Sequence, residues 1–94
     1  MAKRKSILQE NLSQCLLCEN TNNIHIHHVF GAANRGLSEK YHLIVALCQE
    51  HHTGDCGVHF NRYIDLKLKA FAQKKFEETY PNTNFYDVFG RNWK

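Results

Sequence analysis

Proline occurs once in this sequence, and there is no Pro/Gly linker, internal repeat or low-complexity tract. The 94 residues therefore offer no seam at which to divide, and a chain of this length has room for one small core. Long apolar runs are missing as well. No stretch approaches the roughly 18 apolar residues a membrane-spanning helix needs, so no membrane partner is expected. The opening M-A-K-R-K-S-I-L-Q-E is basic but lacks the apolar segment of a secretory leader, so a reducing, cytoplasmic setting is expected. A strong charge excess is absent too. The formal charge of +3 selects no partner by itself. An apolar share of 43% argues against a disordered chain.

What the sequence does have is four cysteines and seven histidines. In a reducing compartment, cysteines at close spacing point to metal rather than to disulfides. A small domain gains much from such a staple. C-L-L-C at 15–18 is a compact turn that lets two sulfurs converge on one ion. Cys48 and His51 repeat the same spacing about thirty residues on. Together Cys15, Cys18, Cys48 and His51 make a Cys3His set suited to a tetrahedral structural Zn2+. Cys56 and His52 compete for the fourth place; the mirrored spacing favours His51. His25, His27, His28, His42, His52 and His59 are surplus to that site.

The periodicity predicts an α+β chain. Residues 1–14 form a basic arm or short helix, with Lys3, Arg4 and Lys5. Residues 24–30 alternate and favour a strand, and the G-A-A-N-R-G stretch breaks it. The segment up to His42 is expected to be a loop with one helical turn at S-E-K-Y. The apolar run L-I-V-A-L-C at 43–48 predicts a second strand. From Val58 the period changes: Phe60, Ile64, Leu68, Phe71, Ala72, Phe76 and Tyr80 fall at helical spacing and form a core-facing stripe over 58–80. Pro81 follows the helix, and N-F-Y-D-V-F-G suggests a short helix stopped by Gly90 within the 81–94 segment. On the first strand, His25 and His27 share one face and His28 points to the other.

C-L-L-C, I-H-H-V-F-G and L-C-Q-E-H-H followed by a helix resemble the HNH, or ββα-metal, nucleases built on a zinc-containing treble clef. The match covers Cys15 to Asn61, about half the chain. H-H-V-F-G-A-A-N-R, S-E-K-Y and F-G-R-N-W look most like the small phage proteins related to the recombination-enhancing, RecA-dependent nuclease. The resemblance implies a small ββα-metal fold with a long C-terminal helix, and a DNA endonuclease active in the cytoplasm of a phage's host. It implies that His28 is the general base and that His27, His52 and His59 hold a catalytic divalent ion. It also implies 5′-phosphate and 3′-hydroxyl products. The sequence departs from the family in two places. Tyr41-His42-Leu43 stands where the family has an asparagine, and T-G-D-C-G separates the two closing histidines.

The chemistry suits these residues. Histidine accepts a proton near neutral pH, and a divalent ion stabilises phosphoryl and leaving-group oxygens. An all-imidazole shell suits Zn2+, Ni2+ or Mn2+ better than Mg2+, which works if phosphates and waters complete its shell. Arg35 and Arg62 are the expected holders of the scissile phosphate. Lys67 and the neighbouring lysines would grip the DNA backbone without reading sequence. A recombinase filament is a possible second partner, and dimerisation is open. Two rival classes remain: a non-catalytic zinc module that binds nucleic acid, and an adaptor that uses exposed C-terminal aromatics.

Overall fold

The computed structural model describes residues 5–54, 57–59 and 61–93. The alternating stretch forms strand β1, Ile24–His28, and the apolar run forms strand β2, Ile44–Cys48. They pair antiparallel, with Ile24 opposite Cys48 and His28 opposite Ile44. The expected first strand ran two residues further, and Val29 does still donate to the Leu43 carbonyl at 3.2 Å. Regular pairing stops there because the chain turns away at Gly31.

The link between the strands is more helical than expected. A 3-10 turn at Ala32–Asn34 runs into helix α1, Arg35–Lys40. Six residues make a marginal helix alone, so tertiary contacts must hold it. The buried Ser38 hydroxyl supplies one: it donates to the Phe30 carbonyl at 2.7 Å and accepts from the Phe30 N–H at 3.1 Å.

The N-terminal segment is not a free arm. The Ile7 N–H donates to the His42 carbonyl at 3.0 Å, and the Leu16 N–H donates to Ala46 at 2.9 Å. Gln9 Oε1 accepts from the Ala46 N–H at 2.8 Å, and Ser6 Oγ donates to the Ile44 carbonyl. These bonds cover the outer edge of β2, where unpaired backbone groups would otherwise face water. Lys5 is exposed; Lys3 and Arg4 lie outside the described residues.

After β2, one turn of helix, α2, spans Gln49–His52, a feature the sequence did not suggest. Helix α3, Arg62–Thr79, begins four residues later than expected. Asn61 explains the start: its extended backbone caps the helix and its side chain accepts from the Ile64 N–H at 3.2 Å. Leu68, Ala72 and Phe76 are buried on α3, with Ile64 and Tyr80 packed against the core. Phe71 departs from the expected stripe and is 37% exposed, because it sits about 100° around the helix from Ala72. Phe60 lies outside the described residues.

Helix α4, Phe85–Phe89, ends as expected at Gly90, whose φ of 76° is the left-handed conformation glycine adopts at little cost. Phe85 and Phe89 pack on Phe76, at centroid distances of 5.3 and 5.9 Å, and on Phe30 at 5.4 and 4.8 Å. The buried Gln73 ties down the chain end by accepting from the Trp93 N–H at 2.6 Å. Two of the four aromatics on which the adaptor reading rests, Phe85 and Phe89, are buried, while Tyr86 is exposed. The result is an α+β fold: a two-stranded sheet with helices packed around an aromatic core. Among the described residues, no helix is long and apolar enough to cross a membrane.

Candidate metal centres

The first centre is built where three elements meet. The turn at 15–18 brings Cys15 and Cys18, the end of β2 brings Cys48, and α2 brings His51. Their ligand atoms lie within 4.8 Å of one another. Cys18 Sγ and Cys48 Sγ are 3.7 Å apart, far beyond a disulfide bond, and Cys15, Cys18 and Cys48 are free thiols. His51 Nδ1 lies 3.7 Å from Cys15 Sγ and 3.3 Å from Cys48 Sγ. A tetrahedral zinc with Zn–S of about 2.3 Å and Zn–N of about 2.0–2.1 Å would set sulfurs about 3.8 Å apart and sulfur from nitrogen by about 3.6 Å. The four residues therefore form a group that could hold a metal ion, with a spacing that fits zinc.

The backbone prepares the sulfurs. Burial opposes ionisation of Cys15, but N–H groups of Cys48, Leu17 and Cys18 aimed at the sulfur outweigh it and bring the thiol down to about 6. The Asn20 backbone favours ionisation of Cys18, yet burial and the neighbouring thiols of Cys48 and Cys15 raise it overall. Between histidines, His51 takes the place beside the sulfurs, and His52 faces elsewhere. Cys56, the other competitor, lies outside the described residues.

The second cluster is made only of imidazoles. The ligand nitrogens of His27 on β1, His52 on α2 and His59 in the turn before α3 lie within 4.8 Å of one another. His52 Nε2 and His59 Nε2 are 3.2 Å apart. Two nitrogens on one tetrahedral ion would sit about 3.3 Å apart. The backbone brings His59 back to His52 across the T-G-D-C-G insertion. The Val58 N–H donates to the His51 carbonyl at 3.0 Å, and the His59 N–H to the His52 carbonyl at 3.4 Å. Gly57 permits this return, since a Cβ there would meet the His52 carbonyl carbon and oxygen at 2.8 Å.

Two of these rings are held toward the neutral form. Burial, followed by the neighbouring His52 and His59, lowers His27 to about 4. Burial, then His59 and His25, lowers His52 as well. His27 is 7% exposed, and its Nε2 is buried without a hydrogen-bond partner. Such an orphan costs about 1–3 kcal/mol, and a bound cation would satisfy it. Converging imidazole nitrogens, one of them buried without a partner, are a donor set that suits a transition metal.

This cluster opens into a pocket of about 450 Å³. His27, His28, His52 and His59 line it together with Arg35, Asp65 and Lys69. His28, at the end of β1, has its Nε2 2.7 Å from Glu39 Oε1 on α1. Lys69 pairs with Asp65 at 2.8 Å.

Of the expected phosphate-holding cations, Arg35 lines the pocket, while Arg62 is exposed at the start of α3. Lys67 faces another way: its ammonium lies 4.9 Å from the Tyr63 ring, in an apolar groove with Leu16, Leu17 and Phe71. Lys69 reaches the pocket instead, because two residues are about 200° of helix rotation. His42, in the place of the family's asparagine, is not in the pocket lining. It turns the chain into β2 with a φ of 60°. Glu39, Asp65 and Lys69 had no motif to mark them; Asp65 and Lys69 are i,i+4 neighbours on α3, and Glu39 meets His28 only through the fold. The chain matches no family model, no curated protein and no solved structure.

Proposed function

We propose that the chain is a metal-dependent endonuclease of the HNH type, on a treble-clef zinc scaffold, that hydrolyses DNA phosphodiester bonds with little sequence specificity. One observation carries the reading: His27, His52 and His59 converge on one point beside His28, in a pocket that also holds the cations Arg35 and Lys69. A purely structural zinc module has no use for a second, all-imidazole cluster with a buried unsatisfied nitrogen.

His27, His52 and His59 would hold the divalent ion, which supplies charge neutralisation at the phosphoryl and leaving-group oxygens. His28 is the general base. The Glu39 carboxylate accepts its Nε2–H and so leaves the lone pair on Nδ1, which takes the proton from the attacking water. Arg35 binds a phosphate oxygen through its planar fork of donors. Lys69 leaves Asp65 for the incoming phosphate. With no base-reading element in view, contacts are to the backbone. A recombinase filament on DNA is the partner this reading carries.

One observation favours the rival, a non-catalytic zinc module that binds nucleic acid: among the described residues, no counterpart of the motif asparagine lines the pocket. The deciding experiment incubates end-labelled single-stranded and supercoiled DNA with the protein. It uses Mg2+, Mn2+, Ni2+, Zn2+ or no added metal, with and without a recombinase filament. Metal-dependent cuts that leave ligatable 5′-phosphate and 3′-hydroxyl ends support the nuclease. DNA binding without cleavage under every condition supports the module.

A further inference from the structure

His25 has no part in either cluster as described, and its position suggests one. It shares a face of β1 with His27, two residues away. Its Nδ1 lies 3.0 Å from Nδ1 of His52, with the rings edge-on at 81°. The other nitrogen of His52, Nε2, lies 3.2 Å from His59 Nε2, inside the three-histidine cluster. The two ends of the His52 ring are thus used differently. Two ring nitrogens at 3.0 Å form a hydrogen bond only if one carries a proton and the other a lone pair. If His52 Nε2 is a metal ligand, its lone pair must be free there, so the ring proton sits on Nδ1. The His25 Nδ1 lone pair is then the acceptor.

We infer that His25 is a positioning residue for the second metal centre: it accepts the Nδ1–H of His52, fixes that ring's tautomer, and aims Nε2 at a divalent transition-metal ion. Metal-bound histidines commonly have such an outer partner, and removing one typically costs 10–100-fold in metal affinity. The imidazole of His25 replaces the carboxylate or carbonyl that more often serves. The inference rests on reading His27, His52 and His59 as a metal centre, and it holds whether or not the chain cleaves DNA.

The test is a Co2+ titration, followed by visible absorbance, of the full chain with its Cys3His site already zinc-loaded. Wild type is compared with His25→Leu, which removes the acceptor, and with His25→Asn, whose Oδ1 takes the place of Nδ1. Zinc content and circular dichroism report the fold. The expected result is one Co2+ per wild-type chain, affinity 10–100-fold weaker in His25→Leu, and recovery to within a few-fold in His25→Asn. ¹⁵N chemical shifts of the loaded protein should show the His52 proton on Nδ1. Unchanged affinity in His25→Leu overturns the inference while leaving the metal centre standing. A changed Co2+ spectrum, in band position rather than affinity, overturns it by making His25 a direct ligand. Wild-type protein that takes up no Co2+ removes the metal centre itself, and the inference with it.

Discussion

Stripping zinc from the Cys15–Cys18–Cys48–His51 group should unfold the chain. The four ligands join the N-terminal turn, β2 and α2, and Cys15 and Cys48 are buried at the core's edge, 0% and 3% exposed. A 94-residue chain at ordinary stability per residue holds about 5–14 kcal/mol in total. Structural zinc in small domains contributes about 10–16 kcal/mol at neutral pH. Its removal therefore takes net stability to zero or below, since the remaining core must still offset the chain entropy of the same residues. The assay is a chelator titration followed by circular dichroism and by fluorescence of Trp93. That indole lies 4.8 Å from Lys69 Nζ and 4.0 Å from the Arg91 guanidinium carbon, so it reports packing of the chain end on α3. Both signals should collapse together as zinc leaves and return on its readdition. A change of 1 kcal/mol moves the melting temperature of such a domain by about 4–8 °C. Zinc-free protein melting within about 5 °C of the loaded form would limit zinc's share to about 1 kcal/mol and refute the reasoning.

Three further outcomes are expected. Phe76→Ala removes a 0% exposed ring between Tyr41, Tyr80, Phe85 and Phe89 and should cost about 3–5 kcal/mol in urea unfolding. Folding holds His27 neutral down to about 4, against its ordinary 6.5, so between those values the unfolded chain binds a proton that the folded chain does not. Stability should accordingly fall as pH drops from about 6.5 toward 4 and be insensitive to this group above that window. Relative to His27→Leu, wild type should lose roughly 2 kcal/mol more between pH 7 and 5, read from urea midpoints; parallel losses in the two proteins would contradict this. Gly57→Ala forces a Cβ onto the His52 backbone and should weaken Co2+ binding at the histidine cluster at least tenfold, with zinc content unchanged.

The parts legible in the sequence are those with a local code. Alternation marked β1, the apolar run marked β2, and Gly90 marked the end of α4. The start of α3 was not legible: the apolar stripe ran back to Val58, whereas the helix begins after the Asn61 cap. The matched spacing of 15–18 and 48–51 pointed to the Cys3His group, which the structure assembles. What was not legible depends on partners distant in sequence. α1 and α2 are too short to announce themselves, and α1 is held by the Ser38–Phe30 clamp. The docking of residues 6–16 on β2 uses backbone and polar groups with no hydropathy pattern. Lys69 replaces Lys67 at the pocket because spacing identifies a helix face only relative to what that face meets. His25 looked idle because its partner, His52, lies 27 residues away across the fold.

The most direct test of the nuclease account is nicking of supercoiled DNA by wild type and His28→Ala at equal zinc content, with Mn2+ or Mg2+ present. His28 donates to Glu39 and lies outside both ligand sets, so the variant should fold, keep its zinc and bind DNA. The account predicts metal-dependent nicking by wild type and a loss of at least a hundredfold in the variant. Equal nicking by the two proteins would contradict His28 as the base. Absence of nicking by both, with and without a recombinase filament and with DNA still bound, would contradict the nuclease.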